Sequence, residues 1–361
     1  MDIPIYRPYL NDDTALYVER AVRSMWISSQ GEYLTQFENM LADYFDVKYV
    51  VLTNSGTAAC HLALLANDIR PYDEVIVPDI TFAATASVVK HVEAYPTLVD
   101  VDENTWNMSV EAVEHAITDK TKAIFCVHLL GMPCNIRALK HLAWKYNLRL
   151  IEDACEAFGV EYEGYKLGTY GECGIFSFFG NKTITTGEGG ALITNDKRIY
   201  EQAMLYRGQG QTERYFHPVA GFNYRMTNLQ AAIGCSQLKH INDVLIQKER
   251  VTRCYQYANL TYQFPSQPLN PVRGRWMYAV RVPDAKHVQQ HLINNGIDSR
   301  CMFQPLHTMP TFAGTIHMPK HGIEPFSKTL AKEAIMLPSY PALQDKTIHY
   351  IMKEVGQAVQ W

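Results

Sequence analysis

Lys182 lies in the run Phe176-Ser177-Phe178-Phe179-Gly180-Asn181-Lys182-Thr183-Ile184-Thr185-Thr186-Gly187-Glu188-Gly189-Gly190, which sets one lysine on a short polar loop beside apolar walls. An amine held there is poorly solvated, which disfavours its charged form and leaves a nucleophile. A nucleophilic amine is what a Schiff base with an aldehyde cofactor requires. Any single lysine is most often a solvated surface charge, so this assignment depends on companion groups elsewhere in the chain.

Two companions are present. In Leu150-Ile151-Glu152-Asp153-Ala154-Cys155-Glu156, apolar residues close a buried strand and Asp153 emerges at its carboxyl end, the edge where open α/β sheets gather ligands. Asp153 there either caps the next helix or keeps a pyridine nitrogen protonated, which makes the ring of pyridoxal phosphate (PLP) an electron sink. In Val51-Leu52-Thr53-Asn54-Ser55-Gly56-Thr57-Ala58-Ala59, a strand passes through a small polar turn directly into a helix. The first N–H groups of that helix have no internal partners and favour an anion such as phosphate. Ser55, Gly56 and Thr57 form the turn, and Ser177 offers a further hydroxyl. Ordinary capping by Ser55 and Thr57 is compatible with that role. With all three segments in one chain, the cofactor reading of Lys182 and Asp153 is preferred.

The elements that must position these groups show as an alternation of strand and helix patterns. Short β-branched or apolar runs occur at 49–53, 74–78, 97–101, 122–128, 148–151, 174–178 and 191–194, with helical patterns such as 110–117 and 136–146 between them. This predicts an α/β fold with a mostly parallel, seven-stranded sheet covered on both faces. A long helix over 228–240 closes a large lobe spanning 1–245. The remainder, 246–361, mixes a strand pattern at 277–282 with helical ones at 285–295 and 328–335. A smaller α+β C-terminal domain is expected there.

Composition sets limits. At 361 residues the chain can bury a large core, and its net charge of −4 leaves no basic footprint for nucleic acid. No apolar run is long enough to span a bilayer, and Met1-Asp2-Ile3-Pro4 does not read as a signal peptide, so a cytoplasmic protein is expected. Cys60, Cys126, Cys134, Cys155, Cys173, Cys235, Cys254 and Cys301 are scattered without paired metal-ligand spacing. Reduced thiols and no metal are the simplest reading.

From about residue 4 to the end, the chain resembles the sugar-nucleotide aminotransferases of the DegT/DnrJ/EryC1/StrS family, which have the PLP-dependent transferase fold type I. The segments quoted above carry the likeness, together with Arg207-Gly208-Gln209-Gly210, Gly221-Phe222-Asn223-Tyr224-Arg225-Met226-Thr227-Asn228, Trp26-Ile27-Ser28-Ser29, Pro133-Cys134 and Trp276-Met277-Tyr278. The branch these resemble forms GDP-perosamine.

The resemblance implies that Lys182 bonds the cofactor and shuttles a proton, Asp153 pairs with the ring nitrogen, and Gly56, Thr57 and Ser177 hold the phosphate. It implies that Phe82 stacks on the ring, and that Asn223 reaches the phosphate of the neighbouring subunit in a homodimer with shared active sites. Glu156 stands where relatives often place glutamine beside the cofactor's phenolic oxygen. His217, His307 and Tyr278 are the implied substrate contacts, while Leu130 and Gln304 depart from the usual residues. L-Glutamate is the implied amino donor and GDP-4-keto-6-deoxymannose the implied acceptor. A UDP- or dTDP-4-keto-6-deoxyglucose acceptor is the near alternative, and a non-catalytic sensor on the same fold a more distant one. A dehydratase of this family would carry histidine in place of Lys182.

Overall fold

The computed structural model describes residues 2–258, 262–265, 274–317 and 324–359. Its strands in chain order are β1 (Tyr49–Thr53), β2 (Glu74–Pro78), β3 (Tyr95–Val99), β4 (Thr121–Val127), β5 (Arg149–Asp153), β6 (Glu161–Tyr162), β7 (Tyr165–Lys166), β8 (Cys173–Ser177) and β9 (Gly190–Thr194). The later ones are β10 (Tyr278–Arg281), β11 (Arg300–Cys301), β12 (Ile316–His317) and β13 (Ala334–Leu337). The main sheet has the order β1-β9-β8-β5-β4-β2-β3-β12. Within it β9 runs antiparallel to β1 and β8, and the remaining pairs are parallel.

The seven expected strands are the first seven of that order, and β12 adds a two-residue edge strand from the C-terminal part of the chain. Most positions of β1, β2, β4, β5, β8 and β9 are buried. Burial on both faces explains their continuous apolar runs. One face packs against helices Glu32–Phe45, Ile136–Tyr146 and Asn228–Lys239 through Phe37, Leu41, Leu139 and Ala231. The other packs against Gly56–Ala66, Ala84–His91 and Lys197–Arg207 through Leu62, Val88 and Ile199.

Because β1, β5 and β8 point the same way, their last residues, Thr53, Asp153 and Ser177, arrive at one edge of the sheet. Antiparallel β9 begins at that edge, with Gly190 opposite both Thr53 and Ser177. The three sequence segments are therefore gathered by strand direction together with the order β1-β9-β8-β5.

In the C-terminal part, β10, β13 and β11 form an antiparallel sheet with β13 at its centre. The predicted helix over 328–335 is corrected here. The helix is Phe326–Glu333, and Ile335 lies in β13, whose four residues are all buried between two partner strands. The helix Ile241–Ala258 runs unbroken through 245/246, the position expected to divide the lobes.

Candidate active site

The loop that carries Lys182 is pinned at both ends. Lys182 N–H donates to Phe179 O (2.9 Å), Phe178 N–H to Gly189 O (2.9 Å), and Thr186 N–H to Phe178 O (2.9 Å). Thr185 Oγ1 adds a bond to Phe178 O (2.9 Å), and Gly187 supplies a left-handed turn (φ 82°). Tyr6 from the N-terminal segment donates its hydroxyl to Lys182 O (2.5 Å). The apolar wall expected beside the lysine is Trp276, whose ring centre lies 4.1 Å from Lys182 Nζ. Its indole Nε1 donates to Asn181 O (2.6 Å).

Glu156 faces the same amine. Its Oε1 is 3.9 Å from Lys182 Nζ, and its Oε2 accepts from Leu130 N–H (2.7 Å). Leu130 is left-handed (φ 57°) and Gly131 follows at φ 81°. A side chain at Gly131 would meet Glu156 O at 2.7 Å, so this close approach requires glycine. Burial pushes the Glu156 carboxyl up to about 7, against the opposing effects of Lys182 and the Leu130 N–H, while the Asp153 charge adds to the rise.

Asp153 closes the far side. Its Oδ2 accepts from Thr85 Oγ1 (2.7 Å) and its Oδ1 from Cys155 N–H (3.1 Å). Both bonds hold the carboxylate fixed at the end of β5. The helix Gly56–Ala66 starts beside it. Ser55 Oγ accepts from Ala58 N–H (3.1 Å) and Ser55 O from Ala59 N–H (3.2 Å). The N–H groups of Gly56 and Thr57 thus lead the helix. A Cβ on Gly56 would fall 2.8 Å from Ser177 Cβ, and one on Gly190 2.6 Å from Ser55 O, so the turn is a tight cradle.

A cavity of about 350 Å³ joins these groups: Ser55, Gly56, Thr57, Phe82, Asp153, Glu156, Ser177 and Lys182 all line it. Phe82 is 62% exposed, unusual for an aromatic following a strand, and its ring meets that of Phe303 (6.4 Å between centres). Sequence reading missed Thr85, Arg300 and Phe303, and gave no role to Trp276 or Asn181, which also line the cavity. Thr85 was recoverable in principle, since it stands three residues after Phe82 in the first turn of the helix Ala84–His91.

Other expected contacts lie elsewhere. Tyr278 is only 1% exposed and stacks on Tyr255 (4.5 Å, 8°) in the C-terminal core, which corrects its reading as a substrate contact. His307 is tied to buried Asp79, with its N–H on Oδ1 (3.0 Å) and its Nδ1 paired with Oδ2 (2.7 Å), and does not line the cavity. His217 is exposed and bonds Gln209 O through Nδ1 (3.0 Å). Asn223 is exposed, and its backbone O accepts from Asn54 Nδ2 (3.2 Å).

All eight cysteines are free. Folding brings together two groups that spacing did not suggest, Cys126–His128–Cys134 and Cys60–Asp153–Cys155. His128 Nδ1 accepts from Cys134 N–H (3.2 Å), and its Nε2 donates to Glu152 (3.1 Å). Both ring nitrogens are therefore occupied within the protein. Glu152 also accepts from the N–H groups of Gly168, Tyr170 and Gly171, so this buried network anchors the loop that leads to β8. Among the described residues no helix is long and apolar enough to cross a membrane.

The residues fit PLP on structural grounds: a glycine-lined helix start for a phosphate, a fixed carboxylate for a ring nitrogen, and a lysine amine between them. Comparison with known proteins agrees. GDP-perosamine synthase of Escherichia coli O157:H7 is 41% identical over 361 residues, covering 98% of this chain and 98% of its own length. That of Caulobacter vibrioides is 40% identical, covering 99% of this chain and 98% of its own length. The Streptococcus pneumoniae protein Spr1654, solved in its PLP-form, superposes with a TM-score of 0.91 at 26% identity, covering 100% of this chain and 99% of its own. With the family model matching residues 8–356, the chain belongs to the DegT/DnrJ/EryC1/StrS aminotransferase family.

Proposed function

We propose that this protein binds PLP and transfers the amino group of L-glutamate to the C4 keto group of GDP-4-keto-6-deoxymannose, giving GDP-perosamine. The observation that carries the reading is that Lys182 Nζ and the Asp153 carboxylate face one cavity begun by the Gly56 helix N-terminus. The GDP-perosamine synthases at 41% and 40% identity over nearly the whole chain support the choice of acceptor.

Bound there, PLP supplies an aldehyde that takes up the amino group and a ring that takes up electrons. Lys182 Nζ would hold the aldehyde carbon covalently and, once released, act as the base that moves a proton to or from carbon. Asp153, locked by Thr85 and the Cys155 N–H, would hold the ring nitrogen and favour its protonated form. Gly56 and Thr57 N–H groups and the Ser55 and Ser177 hydroxyls would hold the phosphate, and Phe82 would pack on the ring. Glu156, held by Leu130 N–H, would share a proton with the phenolic oxygen. A homodimer completes each site through Asn223 of the partner subunit. Residues 1–245 carry the cofactor and 246–361 form the smaller lobe.

The test is absorbance through two half-reactions. L-Glutamate should convert the purified yellow protein to its pyridoxamine form. After removal of the donor, the GDP-linked 4-keto-6-deoxy sugar should restore the visible band, while UDP- and dTDP-linked sugars should not. Recovery only with a UDP or dTDP sugar would overturn the acceptor. A colourless protein that takes up no PLP would overturn the whole reading.

A further inference from the structure

Lys248, in the helix Ile241–Ala258, is only 2% exposed. Its Nζ donates to two backbone carbonyls, Trp276 O and Ser339 O (3.0 Å each), and lies 5.5 Å from the centre of the Tyr6 ring. Burial pushes its amine down to about 7. Among the described residues no carboxylate pairs with it, and such a buried amine is a poor source of stability, because an apolar side chain of similar volume avoids its desolvation. Its presence calls for a role in position.

Both groups that Lys248 grips lead to Lys182. Trp276 gives its carbonyl to Lys248, its ring face to Lys182 Nζ (4.1 Å) and its indole N–H to Asn181 O (2.6 Å). Tyr6 gives its ring to Lys248 and its hydroxyl to Lys182 O (2.5 Å). Burial pushes the Tyr6 phenol well up, so it stays an O–H donor. Trp276 N–H also donates to Leu130 O (3.0 Å), and Leu130 N–H to Glu156 (2.7 Å). The second lysine therefore stands behind the backbone, the amine and the carboxylate neighbour of the first.

We propose that Lys248 is a positioning residue for Lys182, acting through Tyr6 and Trp276. This rests on the reading in which Lys182 bonds PLP. Lys248 touches no reacting atom; it fixes the Trp276 ring over Lys182 Nζ and the Tyr6 hydroxyl under Lys182 O. Without it both clamps loosen, and the amine loses its fixed distance to Glu156.

The test uses the PLP-loaded protein and the variants Lys248→Met, Tyr6→Phe and their combination. The first readout is the pH midpoint at which the visible absorbance band of the bound cofactor changes. Lys248→Met should move that midpoint by about 0.5 pH unit or more, and Tyr6→Phe should move it in the same direction. The double variant should move it no further than the larger single shift, because Lys248→Met already loosens the clamp that Tyr6→Phe removes. The second readout is the glutamate half-reaction. Its limiting rate should fall roughly tenfold, while the glutamate concentration at half-saturation changes less than about twofold.

A folded Lys248→Met protein with the unsubstituted midpoint and rate would overturn the proposal. Should Lys248→Met not fold, Tyr6→Phe decides alone, and an unmoved midpoint would overturn it equally. Absence of any Lys182-dependent band in the unsubstituted protein would overturn the cofactor reading and this inference with it. A normal band with unmoved variants would overturn this inference only.

Discussion

Thr85 Oγ1 donates a 2.7 Å hydrogen bond to Asp153 Oδ2, joining the start of the helix Ala84–His91 to the carboxyl end of β5. The bond lies between two buried side chains, so removing the donor leaves a carboxylate short of a partner. Thr85→Val keeps the shape and deletes the hydroxyl. It should weaken PLP binding about tenfold, in line with roughly 1–3 kcal/mol for an unsatisfied buried group. Thr85→Ser should restore most of the affinity. Titration of cofactor-free protein with PLP, followed by absorbance, measures both, and equal affinity in the Val variant would refute the role.

Glu156 links the site to stability. Its carboxyl is raised from 4.5 to about 7 on folding, chiefly by burial. A raised folded pKa means that the native state holds the proton more tightly. Stability from this group is present below about pH 4.5 and is lost as pH rises through about 7. The shift corresponds to at most about 3 kcal/mol. Glu156→Gln keeps the shape and the acceptor for Leu130 N–H without the titration. Denaturant unfolding of cofactor-free protein at pH 5 and pH 8 should show a smaller loss for the variant. Parallel losses in the two proteins would show that Glu156 is not the group responsible.

The legible parts of this fold are those where sequence neighbours decide geometry. β1 leads into Ser55-Gly56-Thr57, β5 ends at Asp153, and β8 ends five residues before Lys182, so strand direction carries all three to one edge. What escaped depends on partners remote in the chain. Trp276 reaches Lys182 Nζ from the far end of the sequence, and Tyr6 reaches Lys182 O from the beginning. No local pattern marks Lys248 as buried, since an amphipathic helix usually turns its lysines to solvent. Tyr278 was misplaced because it sits in the same short motif as Trp276. It opens β10 opposite Leu337, and its ring turns into the core against Tyr255. Ile335 was misread because an apolar run after a helix carries no mark of the strand pairing that claims it.

Gly56 tests the cradle directly. An added Cβ would lie 2.8 Å from Ser177 Cβ, closer than Cβ atoms approach one another, and 3.2 Å from Cys155 Sγ, a tight contact. Gly56→Ala should push the helix start away from Ser177, at a cost of about 1–3 kcal/mol of stability. PLP affinity should fall further than stability does, because the displaced N–H groups are those proposed to hold the phosphate. Thermal unfolding with and without PLP separates the two effects. An Ala variant whose melting temperature rises on PLP addition as much as the unsubstituted protein's would remove the phosphate from this turn.

Asn223 provides the test of a shared site. Its neighbours Phe222 and Tyr224 stack on each other (4.9 Å, 10°) and turn toward His61, with the Phe222 ring 4.9 Å from it and the Tyr224 hydroxyl 3.2 Å from its Nδ1. Side chains alternate in extended backbone, so Asn223 points the other way and is exposed. Its own cavity is not lined by it. If its amide serves a cofactor, that cofactor belongs to another copy of the chain. Lys182→Ala and Asn223→Ala should each be nearly inactive alone. Mixed, unfolded and refolded together, they should form dimers in which one site of two has both native residues, recovering about a quarter of full activity. No recovery from a mixture that has re-formed dimers would place Asn223 outside the partner's site.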